Sequence, residues 1–236
     1  MGRMSSPRRI ALLGGGFSDD PDPLIDDFVL ASTGRARPGV CFLPTASGDS
    51  AGYVERFHAA FDGRDCEPAV LPLFRRTHQD LRALVLGQDV LYVGGGNTAN
   101  MLAVWRVHGM DAILREAYDA GVLLCGISAG AACWLDACLT DSFGPLAPLR
   151  DGLGLLPGSL CPHYDSEGDR RPAYLAAVAD GALPGGWALD DGAAALFTEG
   201  GLTEVVARTP GATLRQVTRG ADGSAVETAR PARLLS

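Results

Sequence analysis

Short apolar runs bounded by glycine or proline recur along the first half of the chain, at Ile10 to Leu13, Val40 to Leu43, Ala69 to Leu73, Val90 to Val93 and Val122 to Cys125. Between them, apolar residues return at helical spacing over Leu24 to Leu30, Tyr53 to Phe61, Asp80 to Leu86, Thr98 to Val107 and Asp111 to Ala120. Continuous apolar strands alternating with amphipathic helices predict an α/β fold, with a mostly parallel sheet covered by helices on both faces. After residue 140 the pattern loosens into Gly/Pro-rich loops. A helix is expected near Pro172 to Ala179, and strands at Ala188-Leu189, Ala195 to Thr198, Glu204 to Ala207 and Thr213 to Thr218. No internal repeat or low-complexity linker interrupts the chain, so residues 1–236 read as a single domain.

One junction carries chemistry. Gly126-Ile127-Ser128-Ala129-Gly130 lies between the strand Val122 to Cys125 and a small-residue stretch, Ala131 to Leu135, that is expected to be helical. A G-x-S-x-G between strand and helix is a nucleophile elbow: the turn presents the serine at the end of the sheet, and the glycines allow close backbone approach. The Ala129 N–H, at the start of the following helix, is then placed to stabilise an oxyanion. A second loop, Gly94-Gly95-Gly96-Asn97-Thr98, also follows a strand and opens a helix, so its backbone N–H groups suit an anion or an oxyanion. In such sheets ligands bind beyond the carboxyl ends of the strands, where both loops lie.

Composition narrows the chemistry. With 236 residues, 47% of them apolar, the chain can bury a full core. All 20 basic residues are arginine. Without lysine there is no phosphate-loop lysine, no Schiff base and no Ser-Lys dyad. A net charge of −8 and the lack of an arginine stripe interleaved with aromatics argue against nucleic acid as partner. Neither Gly-rich loop completes a dinucleotide fingerprint: Gly14-Gly15-Gly16-Phe17-Ser18-Asp19 has aspartate at the third glycine position, and Gly94-Gly95-Gly96 runs into Asn97. The six cysteines are scattered without a C-x-x-C and fit buried thiols of a reducing compartment. No transmembrane-length run or signal peptide is evident, so a cytoplasmic protein is expected, with no membrane partner. Met1-Gly2 with Ser6 formally fits a myristoylation pattern, which is too short to carry weight.

A nucleophilic serine needs a base, and the histidines are His58, His78, His108 and His163. The first three fall in helices or a charged stretch and read as solvated side chains. His163, in Cys161-Pro162-His163-Tyr164-Asp165, follows an apolar run that can deliver it at a strand end. A carboxylate must then orient the imidazole. Asp136, read as lying on the serine's own helix, would be about 12 Å along its axis and too distant. Asp141 and Asp151 stay open on spacing. Asp190-Asp191-Gly192, at a strand end, offers two more carboxylates. A metal site from Cys161, His163 and Asp165 is a weaker rival, because Pro162 interrupts the strand spacing.

The ordered set of Val93-Gly94-Gly95-Gly96-Asn97-Thr98, Gly126-Ile127-Ser128-Ala129-Gly130-Ala131, Pro162-His163 and Leu189-Asp190-Asp191-Gly192 resembles peptidase family S51, which includes aspartyl dipeptidases and cyanophycinases. The resemblance runs from about residue 88 to 200. It implies a fold similar to class I glutamine amidotransferases, flavodoxin-like, and a Ser-His-acid triad. Ser128 would be the nucleophile, His163 the base and acid, Asp191 the orienting carboxylate, and the N–H groups of Gly96 and Ala129 the oxyanion hole. A glutamate in aspartyl dipeptidase corresponds to Asp191, one methylene shorter, which keeps Asp190 in view. Arg170, in Glu167-Gly168-Asp169-Arg170-Arg171, matches an arginine shortly after the family's histidine and, with Asn97, is expected to bind substrate. Asp165, Glu167 or Asp169 could receive a substrate amino group. The expected activity is a serine exopeptidase acting on short peptides, with N-terminal Asp dipeptides first, through an acyl-enzyme and without metal or cofactor. A cyanophycinase-like hydrolase of β-Asp-Arg units and a non-catalytic anion-binding module on the same fold are the alternatives. The sequence leaves room for a homodimer.

Overall fold

The computed structural model describes residues 6–18 and 22–236; Met1-Gly2 and the Asp19-Asp20 pair lie outside them. The first half runs β1 (Arg9–Leu13), α1 (Leu24–Ser32), β2 (Gly39–Leu43), α2 (Ala51–Phe61), β3 (Glu67–Val70), α3 (Leu81–Leu86), β4 (Val90–Val93), α4 (Thr98–His108), α5 (Met110–Asp119) and β5 (Leu123–Ile127). The second half runs α6 (Ala129–Ala132), β6 (Leu135–Thr140), β7 (Ala147–Leu149), β8 (Leu156–Cys161), α7 (Arg170–Ala179), β9 (Gly186–Leu189), β10 (Ala193–Thr198), β11 (Gly201–Ala207), β12 (Leu214–Arg219), β13 (Ala225–Ala229) and β14 (Arg233–Leu234).

The larger sheet has the order β14-β11-β10-β1-β5-β4-β2-β3. Strands β1, β5, β4, β2 and the edge strand β3 are parallel, whereas β10 joins β1 antiparallel. Both faces are buried, which explains the uninterrupted apolar runs. Ile10 and Leu12, Cys41 and Leu43, Leu91 and Val93 face one cluster with Met101, Trp105 and Leu114 from α4 and α5. Their neighbours Ala11, Leu13, Val40, Phe42, Val90 and Tyr92 face another, with Ile25, Phe28, Phe57 and Phe61 from α1 and α2.

A second sheet, of order β13-β12-β9-β8-β6-β7, is mixed and was not expected from the looser pattern after residue 140. Leu160, Leu189 and Leu214 pack toward the first cluster, while Cys161, Ala188 and Val217 pack with Tyr174 and Val178 of α7. This sheet corrects one local expectation. The helix after Ser128 spans only four residues, Ala129–Ala132, and by Leu135 the chain has entered β6. Trp134 and Leu135 are fully buried there, so tertiary packing overrides the helix preference of a small-residue run. Asp136 is therefore a strand residue, and its carboxylate accepts the Gly158 N–H at 2.9 Å. The strand expected at Ala69 to Leu73 is shifted to Glu67–Val70, and the Leu73 N–H donates to Asp49 Oδ2 at 2.6 Å instead of to a neighbouring strand. The terminal strands β13 and β14 are largely exposed and carry no apolar run to mark them.

Parallel strands end at one edge, so the loops after β1, β2, β4 and β5 converge. Two contacts fix the β1 loop. The Gly192 N–H donates to the Gly14 carbonyl at 2.5 Å, tying this loop to the turn before β10. Behind it the buried Tyr92 hydroxyl donates to Asp26 Oδ1 at 2.8 Å. A Cβ at Gly16 would stand 2.4 Å from that hydroxyl oxygen. Burial pushes the Asp26 carboxyl up to about 6, against the opposing pull of the Tyr92 hydrogen bond and the Arg64 charge.

An unfolded aspartate titrates near pH 3.9, so between about pH 4 and 6 the folded state holds the extra proton. Stability conferred by this group is thus present at low pH and falls as pH rises through that window, by roughly 2–3 kcal/mol. Asp26→Asn keeps an acceptor for Tyr92 and removes the charge. Denaturant unfolding from pH 4 to 7 is expected to show a flatter profile in the variant; an identical slope in both proteins contradicts this account.

Candidate active site

Ser128 follows β5 with φ 54° and ψ −113°, a strained conformation for a residue with a Cβ. The turn closes because its flanks are glycines. A Cβ on Gly126 would lie 2.3 Å from the Gly130 carbonyl oxygen, and one on Gly130 would lie 2.3 Å from that of Val93. The Ser128 carbonyl accepts the N–H groups of Ala131 and Ala132, which starts α6 directly behind the serine.

The Gly94–Gly96 loop lies alongside, with a Gly95 Cβ position 3.4 Å from Ser128 Cβ. Its N–H groups are mostly committed: Gly94 donates to the Leu43 carbonyl, Gly95 to the Tyr53 hydroxyl at 3.0 Å and Asn97 to the Ala46 carbonyl. The Gly96 N–H has no hydrogen-bond partner among the described residues, and neither has that of Ala129. Gly96 has φ +137°, and a Cβ there would meet the Ala46 carbonyl oxygen at 2.3 Å. Asn97 is built into the fold: its Oδ1 caps α4 by accepting from Asn100, and its Nδ2 donates to the Ser142 carbonyl.

His163 arrives at the end of β8, with φ 55°. Its Nδ1–H donates to Asp191 Oδ1 at 2.8 Å, leaving Nε2 as the ring nitrogen available for proton transfer. Asp191 is held in turn, its N–H donating to Asp165 Oδ1 at 2.8 Å. The Asp191 hydrogen bond raises the histidine above its ordinary value, outweighing burial, which lowers it. Burial alone would raise Asp191, yet its hydrogen bonds from His163 and Ser166 hold it below the usual carboxylate range. Both directions describe a pair that favours imidazolium beside carboxylate. Asp190 points the other way. It is buried, pairs with Arg215 and accepts the Thr213 N–H at 3.1 Å.

Ser128 and His163 line one cavity of about 200 Å³, together with Ser18, Tyr53, Arg56, Gly95, Gly96 and Ile127. No hydrogen bond joins Ser128 Oγ to His163 among the described residues; such contacts often tighten only when substrate closes the site. Arg170 is not on this wall. Its side chain, only 5% exposed, pairs with Glu167 at 2.6 Å and approaches Asp141 at 4.0 Å. Asp165 and Glu167 are likewise committed to Asp191 and Arg170. The donors of the rival metal site also diverge: burial pushes the Cys161 thiol up to about 12 in the layer below, and His163 and Asp165 both engage Asp191. Ser18, Tyr53 and Arg56 were not anticipated. Their only sequence signals are a serine after the first triple glycine and an i, i+3 pair on α2, where periodicity marks Tyr53 as core.

The family model of Peptidase family S51 matches residues 10–205. The chain belongs to peptidase family S51. It is 51% identical over 204 residues to the uncharacterized peptidase YgaJ of Bacillus subtilis strain 168, covering 86% of this chain and 88% of that protein. It is 32% identical over 140 residues to a Peptidase E of Shewanella amazonensis, 58% of each chain. The crystal structure of a peptidase from an acI-B1 actinobacterium superposes with a TM-score of 0.71 at 17% identity, covering 97% of this chain and 96% of that one. That likeness shows the shared α/β fold. As a member of family S51 the chain is a serine peptidase and acts on peptides. Among the described residues no helix is long and apolar enough to cross a membrane.

For a histidine base that must be neutral to accept a proton, the raised pKa puts the acid limb of kcat/KM above the ordinary value of about 6.5. Asp191→Asn removes the group that raises it. The limb, and the His163 ring resonances in an NMR titration, are expected to move to lower pH; an unmoved titration refutes the assignment of the shift to Asp191.

Proposed function

We propose that the chain is a serine exopeptidase for short peptides, working through Ser128, His163 and Asp191, with dipeptides bearing N-terminal Asp as first substrates. The observation that carries this reading is the 2.8 Å His163–Asp191 hydrogen bond on a cavity that His163 shares with the strained Ser128 turn. His163 Nε2 takes the Ser128 hydroxyl proton as Oγ attacks the scissile carbonyl. Negative charge developing on that oxygen is met by the N–H groups of Gly96 and Ala129, which need no reorganisation to bind it. Asp191 holds the ring in the tautomer with Nδ1–H and stabilises the imidazolium. His163 then protonates the leaving amine, and water clears the acyl-enzyme by the reverse proton path.

This mechanism fixes the expected outcomes. A fluorophosphonate should label Ser128, and Ser128→Ala should abolish labelling and lower kcat by about 10⁴-fold or more. Activity should survive a chelator. Asp190→Asn, which breaks the Arg215 contact, should leave the His163 titration in place. Absence of labelling and of hydrolysis across a panel of dipeptides and tripeptides with free and blocked amino termini sinks the reading.

A further inference from the structure

The cavity holds a cation that the mechanism does not use. Arg56 projects from the exposed side of α2 onto the cavity wall, and no carboxylate pairs with it among the described residues. Arg8, Arg64, Arg106, Arg171 and Arg215, by contrast, each engage an acidic side chain. Its guanidinium carbon lies 5.0 Å from the centre of the Tyr53 ring. The Tyr53 hydroxyl in turn accepts the Gly95 N–H at 3.0 Å, so the guanidinium is stacked on a ring fixed to the loop beside Ser128. Stacking orients the plane of an arginine while leaving its N–H fork free for a bidentate partner.

On the same wall, Ser18 Oγ is buried and has no hydrogen-bond partner among the described residues. A buried hydroxyl without a partner costs about 1–3 kcal/mol, a cost that a bound acceptor removes. A guanidinium and a hydroxyl, both without a polar partner among the described residues and on one small cavity, are complementary to an anion with two acceptor oxygens, and in a peptide that group is a carboxylate.

We infer that Arg56 and Ser18 bind a carboxylate of the peptide substrate. The inference rests on the reading of Ser128 as nucleophile for the identity of the cavity as the substrate site. A dipeptide with N-terminal Asp has two such carboxylates, the β-carboxylate of its side chain and the α-carboxylate of its terminus. Either would be held by charge-assisted hydrogen bonds from Arg56, with Ser18 donating a further one. Anchoring this group would set the scissile carbonyl against Ser128 and the two oxyanion donors, so the loss of Arg56 falls mainly on substrate affinity.

The test uses binding, independent of turnover. Calorimetry with the Ser128→Ala protein compares Asp-Ala, Asn-Ala and the C-terminal amide of Asp-Ala, with and without Arg56→Ala in the same chain. Arg56→Ala is expected to weaken Asp-Ala about 10- to 100-fold, with Arg56→Lys recovering part of the loss. If the side-chain carboxylate is the ligand, Asn-Ala binds weakly already and loses far less on Arg56→Ala. If the terminal carboxylate is the ligand, the amide behaves that way instead. Ser18→Ala should weaken the same peptide by a smaller factor. Equal losses on all three peptides, an unchanged affinity for Asp-Ala, or no binding of any of them to the parent protein overturns the proposal. A wild-type protein that fluorophosphonate fails to label defeats the nucleophile reading instead, and the calorimetric differences tell the two failures apart.

Discussion

The turn at Ser128 depends on the absence of two side chains. Gly126 and Gly130 bring backbone within a distance that no Cβ could enter, 2.3 Å from the Gly130 and Val93 carbonyl oxygens respectively. That contact presses the start of α6 against the end of β4 and leaves Ser128 in a left-handed conformation at the tip. The strain, of the order of 1–3 kcal/mol, is sustained by the two fully buried faces of the sheet around it. The Gly94–Gly96 loop lies against this turn, with a Gly95 Cβ position 3.4 Å from Ser128 Cβ, and is held from its other side by Leu43, Tyr53 and Ala46.

The rest of the site is assembled on that fixed edge from elsewhere in the chain. β1 runs beside β5, so its Gly14–Ser18 loop reaches the same edge, and the Gly192-to-Gly14 hydrogen bond carries the turn before β10 there as well. The second sheet supplies His163 at the end of β8, parallel to β9, whose own end supplies Asp190 and Asp191. Histidine and carboxylate are therefore neighbours because two parallel strands finish together. Electrostatics then favours the pair, with His163 raised and Asp191 lowered by the same hydrogen bond.

The two consecutive aspartates illustrate where sequence reasoning stops. Successive residues at a strand end point to opposite sides. Which side faces His163 depends on pairing: β9 lies between β8 and β12, and Asp190 turns inward to Arg215 and Thr213 while Asp191 meets the histidine. The arginines make a similar point. Arg170 follows the histidine closely in sequence but is buried at the start of α7 and paired with Glu167, whereas Arg56, over a hundred residues away from His163, stands on the cavity wall.

By itself the sequence determined the alternation of parallel strands and helices, the serine turn, the glycine loop and the order in which serine, histidine and acid occur. These are written in short uninterrupted apolar runs, in period-3.6 burial and in glycines that only close approach requires, signals carried by a few adjacent residues. The tertiary structure alone decided the second sheet, the short helix after Ser128, which of Asp190 and Asp191 lies against His163, and which arginine meets the cavity. Each of those depends on which strands lie side by side, and on where burial outweighs local propensity, neither of which is a property of any short stretch of the chain.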